Sequence, residues 1–96
     1  MQLNQVILEG RVTDKPVVNE SGTRVEFFME NHRTYEHDGE IYESSDTFKV
    51  VSFDKEYQTQ RLLKSNDRVV VVGVINMYQS EVQIIADKII EGKKSL

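Results

Sequence analysis

The sequence predicts an all-β domain with one short helix: a five-stranded Greek-key barrel whose helix lies between the third and fourth strands. Three observations predict it. The strand-like and helical stretches run in the order three strands, a helix, two strands. Gly10 interrupts the first strand pattern, where a small barrel needs one strand to bend and serve two faces. The chain has 96 residues, the size of one domain with a modest core.

The first strand runs from Asn4 to Val12, with Val6, Leu8 and Val12 at even spacing. Lys15-Pro16 breaks the pattern and Asn19-Glu20-Ser21-Gly22 forms a turn. Arg24 to Arg33 is the second strand, with Val25, Phe27, Phe28 and Met29 as apolar bulk. Thr34 to Asp46 is polar and centred on Asp38-Gly39, which predicts a long hairpin with that dipeptide at its tip. Thr47 to Phe53 is the third strand. Asp54 caps a short helix to about Lys64, with Tyr57, Arg61 and Leu62 or Leu63 at helical spacing, and Ser65-Asn66-Asp67 ends it. Val69 to Tyr78 is the fourth strand, and its run Val69-Val70-Val71-Val72 predicts burial on both sides. After the turn Gln79-Ser80, Glu81 to Ile90 is the fifth. Residues 1–91 are read as one binding domain and 92–96 as a short flexible tail.

Composition narrows the function. With no cysteine, disulfides and thiolate metal sites are excluded. No apolar run is long enough to span a bilayer as a helix, and no charged leader precedes an apolar stretch. A cytoplasmic protein with no membrane partner is therefore expected. The net charge of −4 runs against a nucleic-acid partner, but its distribution matters. Between Arg33 and Lys49 stand five acids and no cation: Glu36, Asp38, Glu40, Glu43 and Asp46. With those set aside, the rest of the chain carries +1. No phosphate-binding loop, nucleophile elbow or zinc-protease motif occurs, so no enzyme is expected. His32 and His37 have no third ligand at a fixed spacing, so no metal or other cofactor is expected.

The strand order is that of the oligonucleotide-binding fold, or OB-fold. Asn4 through Val12 followed by Pro16, the stretch Ser21 to Phe28, the strand Phe48 to Phe53 and the passage Leu63 to Gly73 resemble bacterial single-stranded DNA-binding proteins in order and spacing. Phe28 to Arg33 and the ending Ile85-Ala86-Asp87-Lys88-Ile89-Ile90 are similar to primosomal replication protein B, a dimeric relative from replication restart. The resemblance implies non-catalytic, largely sequence-independent binding of single-stranded DNA in replication, repair or recombination. It implies a homo-oligomer, dimer or tetramer, built on the first strand around Leu3, Gln5 and Ile7, with Phe48 as a further interface residue. Thr47 stands where the larger family has a base-stacking tryptophan, and the chain has no tryptophan.

Binding a single strand without reading its sequence needs flat rings beneath bases and cations along phosphates. The resemblance places Phe53 at a stacking position, Lys49 at a basic DNA-contacting one and Tyr78 near another stacking ring. Lys49 and Phe53 also share a face by strand alternation. Tyr35 and Tyr42 flank the hairpin tip and form a cross-strand pair that can also stack on bases. Arg11, Lys15, Arg24, Arg33 and His32 surround the first strands as a phosphate track. Phe27, Phe28 and Phe48 are read as core or subunit interface. The acidic hairpin favours an alternative, an OB-fold adaptor of a replication-restart complex with weak DNA affinity. Without tryptophan, binding weaker and more salt-sensitive than in tryptophan-bearing relatives is expected.

Overall fold

The computed structural model describes residues 2–53 and 63–92. Six strands are present: β1 Val6–Val12, β2 Val17–Val18, β3 Val25–His37, β4 Glu40–Ser52, β5 Arg68–Tyr78 and β6 Glu81–Glu91. β2 adds two residues to the edge of β3. The other five close a barrel, in the order β1-β5-β6-β4-β3 and back to β1. Every contact between neighbours is antiparallel except β4–β6, which is parallel through Lys49↔Gln83, Val50↔Ile84 and Val51↔Ile85. The strand architecture is therefore as the sequence predicts. The predicted helix falls largely on residues outside the described ones. Its last two, Leu63 and Lys64, carry no regular secondary structure, and no helix occurs among the described residues.

Alternation builds the core. Val25, Phe27 and Met29 of β3 face Val50 of β4, Val69 and Val71 of β5, Ile84 of β6 and Val12 of β1, all buried. Leu63 seals the same cluster, and Phe48 and Leu8 pack against its margin. The valine run departs from the sequence reading. Val69 and Val71 are buried, but Val70 and Val72 are only half-buried. Among the described residues no second layer covers the outer face of β5, so the run obeys the period-2 rule of a one-sided strand.

Gly10 marks where β1 passes from β5 to β3. It pairs with Val69, and the next residue, Arg11, pairs with both Arg68 and Glu30. A Cβ at Gly10 would collide with the Glu30 carbonyl oxygen, so the closure tolerates only glycine. The Asn4 carboxamide extends the β1–β5 ladder beyond Val6: its Nδ2 donates to the Ile75 carbonyl (2.9 Å) and its Oδ1 accepts from the Ile75 amide (3.0 Å). β1 touches β3 only at Arg11↔Glu30 and Val12↔Met29, with Asn31 Nδ2 donating to the Glu9 carbonyl at 2.8 Å. Among the described residues nothing pairs with its remaining edge.

The predicted hairpin tip is found at Asp38-Gly39. Both residues have positive φ (52° and 80°), the type I′ geometry for which Asp-Gly is suited. The strands leading to it are longer than the sequence suggests. β3 and β4 stay paired from Val25↔Ser52 out to His37↔Glu40, so the polar segment is continuous ladder. Beyond Met29↔Phe48 neither strand buries a residue, leaving an arm of roughly 25 Å at about 3.4 Å per residue. The β5–β6 turn, Gln79-Ser80, also has positive φ at both positions, without glycine.

Candidate nucleic-acid interface

Phe27 points into the core, so Phe28 points out. Residues opposite one another in an antiparallel ladder share a face. Phe28 therefore stands beside its partner Lys49, and Glu26 beside Val51. The parallel β4–β6 pairing and the β5–β6 hairpin extend the first pair into a row across four strands: Phe28, Lys49, Gln83, Asn76. A parallel row holds Glu26, Val51, Ile85 and Val74. Tyr78 follows Asn76 on the same face of β5 and pairs with Glu81. Phe53 continues the alternation of Lys49 and Val51 just past β4.

Three rings on this side are open to solvent: Phe28 is 44% exposed, Phe53 55% and Tyr78 53%. The sequence reads Phe28 as core or subunit interface, and its exposure in the single chain removes the core alternative. The signal was available, because two adjacent strand residues cannot both face inward, but choosing between Phe27 and Phe28 requires the barrel.

The cations here are partly committed. Glu26 bonds Arg24 and lies 3.5 Å from the Lys49 ammonium. Partial burial pushes the Glu26 carboxyl up. The hydrogen bond from Arg24 and the charges of Lys49 and Arg24 outweigh this and hold it below its ordinary range. This ion-pair contribution to stability is complete above the ordinary carboxylate range and is lost as pH falls through the lowered value.

The buried group on this face is Gln83, only 8% exposed. Among the described residues nothing hydrogen-bonds its carboxamide. An amide left unpaired in such a position costs about 1–3 kcal/mol.

The remaining predicted residues fall into other groups. Arg11 lines an open groove with Glu9, Gly10, Glu30, Asn31, His32 and Arg68 at the barrel end where β1 meets β3. His32 lies on the same face of β3 as Phe28, its Nδ1 3.0 Å from the Ser45 hydroxyl. Arg68 joins Arg11 here and was missed, because nothing local marks the first residue of a buried strand as a cation for this groove. Arg33, Tyr35 and Tyr42 occupy the opposite face of the arm. Tyr35 and Tyr42 stack with centroids 5.6 Å apart at 22°, and the Arg33 guanidinium sits 5.6 Å from the Tyr35 centroid. The Tyr42 hydroxyl donates to Glu40 at 2.8 Å, which raises the pKa of the phenol. The predicted cross-strand pair is thus present, and both rings already have partners. Lys15 is exposed in the segment between Thr13, whose amide donates to the Phe28 carbonyl, and Val17, which pairs with Glu26. Leu3, Gln5 and Ile7 are exposed along the β1 side, whereas Phe48 pairs with buried Met29 and packs against the core. The structure therefore separates Phe48 from the other three interface candidates. Among the described residues, no group of three or more His, Asp or Glu is placed to hold a metal ion, and no helix is long and apolar enough to cross a membrane.

With the barrel and this face defined, comparison with known proteins is decisive at one point. The model of the single-strand binding protein family matches residues 3–89. The chain belongs to that family. Solved relatives share its fold at low identity. A single-stranded DNA-binding protein of Plasmodium falciparum, solved in complex with single-stranded DNA, superposes with a TM-score of 0.78 at 20% identity over 97% of both chains. A small single-stranded DNA-binding protein from Streptomyces coelicolor gives 0.77 at 21% identity over 96% of both. The primosomal protein PriB of Ralstonia solanacearum gives 0.75 at 7% identity, over 96% of this chain and 100% of its own. No curated sequence relative matches. The likeness to PriB is thus one of fold, and the family assignment rests on the single-strand binding model.

Proposed function

We propose that this single-strand binding protein holds single-stranded DNA, without catalysis, across the outer face of β3, β4, β6 and β5. Bases stack on Phe28, Phe53 and Tyr78, and phosphates meet Lys49 and Arg24. Arg11, His32 and Arg68 in the adjoining groove continue the track, while Lys15, Arg33, Tyr35 and Tyr42 serve at its margins. The observation that carries the reading is the Phe28–Lys49 pair, an exposed ring and a cation side by side on the face that also presents Phe53 and Tyr78. Rings and cations together are what sequence-tolerant single-strand binding requires. Residues 1–91 form the binding domain in this reading, with 92–96 as a tail. The setting is replication, repair or recombination in the cytoplasm.

Fluorescence anisotropy with an oligo-dT of several tens of nucleotides tests it. Binding is expected at low salt, with log K falling against log salt by about 0.7 per phosphate neutralised and a total slope of about 1–3. Absence of binding at low salt would end the proposal. Glu26 occupies the two cations that phosphate would use. Glu26→Gln is expected to tighten oligo-dT binding by up to about fivefold at low salt, from the ~0.2–1 kcal/mol of a partly exposed ion pair. Weaker binding by this variant would show that Arg24 and Lys49 do not meet phosphate.

The open edge of β1, with Leu3 and Ile7 exposed beside it, supports assembly by pairing of β1 with a second copy over Leu3 to Ile7. Light scattering at micromolar concentration is expected to give at least a dimer mass; a monomer mass would refute the pairing.

A further inference from the structure

Stacking and phosphate contacts do not account for Gln83. On a platform that only stacks, the centre of the face is best filled by an apolar side chain, as Val51 and Ile85 do one row away. Gln83 instead places a carboxamide between Lys49 and Asn76, nine-tenths buried and without a hydrogen-bond partner among the described residues. Lys49 is not its partner, since its ammonium is turned to Glu26 at 3.5 Å. Asn76, on the adjacent strand, presents a second carboxamide to solvent at the same level. Tyr78 lies diagonally across the ladder from Gln83, where side chains are about 7–8 Å apart. A base lying on the Tyr78 ring spans that gap and brings its polar edge to the two amides.

A carboxamide offers one donor side and one acceptor side, the complement of a base edge with an acceptor beside a donor. Buried polar groups are nearly always hydrogen-bonded. A ligand that supplies the missing partner gains that bond without first stripping water from an exposed amide.

We propose that Gln83, with Asn76 beside it, hydrogen-bonds the Watson–Crick edge of a base stacked on Tyr78. This contact adds base-edge recognition to a surface otherwise indifferent to base chemistry. The inference rests on the reading of this face as a single-stranded DNA platform.

N3-methylthymine separates edge from ring. It keeps the π-face and the phosphates but blocks the ring N–H and crowds the edge. Wild-type protein is titrated with oligo-dT and with the same oligomer made of N3-methylthymine, and Gln83→Leu is titrated with both. Wild type is expected to bind the methylated strand about fivefold more weakly, the worth of one hydrogen bond. Gln83→Leu, with a melting temperature unchanged or raised, is expected to bind both strands alike. Equal affinity of wild type for the two strands overturns the inference, as does a full methylation penalty retained in Gln83→Leu. If leucine at 83 does not fold, Asn76→Ala on the exposed neighbour must reduce the penalty, and an undiminished penalty overturns the inference. Failure of wild type to bind even unmethylated oligo-dT at low salt would instead refute the DNA platform itself, and the base-edge contact with it.

Discussion

Phe27→Ala is expected to cost about 3–5 kcal/mol of folding stability, the range for a phenylalanine removed from a packed core. Small domains have only about 5–15 kcal/mol in total. The variant should therefore be partly unfolded at ambient temperature or melt far below the wild type. Phe27 is 2% exposed and sits among Val12, Met29, Val50, Val69, Val71 and Ile84, drawn from all five barrel strands. No other part of the barrel can collapse into the space without breaking a ladder. Urea denaturation measures the loss. A cost below about 1 kcal/mol would mean that β3 is displaced by one residue and that its inward face is misassigned, because a one-residue slip exchanges the two faces.

The next residue along the chain should behave in the opposite way. Phe28→Ala combined with Phe53→Ala is expected to leave the melting temperature close to wild type and to weaken oligo-dT binding about 30-fold or more. Each ring stacked on a base contributes about 1–3 kcal/mol, and every 1.4 kcal/mol is a factor of ten. Both rings are about half exposed, so truncation leaves no cavity. Because stacking does not release counterions, the salt slope should stay unchanged while the affinity falls. Anisotropy titrations at two salt concentrations decide it. A change under about threefold would place the bound strand elsewhere, with the groove at Arg11 and Arg68 as the first alternative.

The acidic arm distributes its carboxylates over both of its faces. The five carboxylates do not act together. Asp46 shares the face of Asn31 and Arg33, while Glu36 and Glu43, opposite Ile41 and Thr34, lie on the face that carries Phe28 and His32, further out along the arm. Glu40 is engaged by the Tyr42 hydroxyl and Asp38 lies 3.3 Å from His37. Of the acids flanking the proposed binding row, Glu26 is the one paired with its cations, and it looks unremarkable in the sequence. It holds Arg24 and Lys49, and in the proposed platform this tempers affinity.

Much of this protein was legible from local pattern. Alternation identified the five barrel strands, Asp38-Gly39 gave the hairpin tip, and the placement of Lys49 and Phe53 on one face followed from their even spacing of four. The family was legible in motifs spread along the chain. These features depend on residues close in sequence, where backbone geometry alone dictates the outcome.

What the tertiary structure decided is which side of each strand faces water and which distant residues stand together. Phe27 and Phe28 are equivalent to a sequence pattern, and only closure of the barrel sends one inward and the other out. Gln83 meets Lys49 through a parallel pairing between strands separated by the whole of β5. Glu26 meets Lys49 diagonally across the β3–β4 ladder. Such contacts arise from the register of strands far apart in the chain. That register is fixed by the packing of the core as a whole, which no local stretch of sequence encodes.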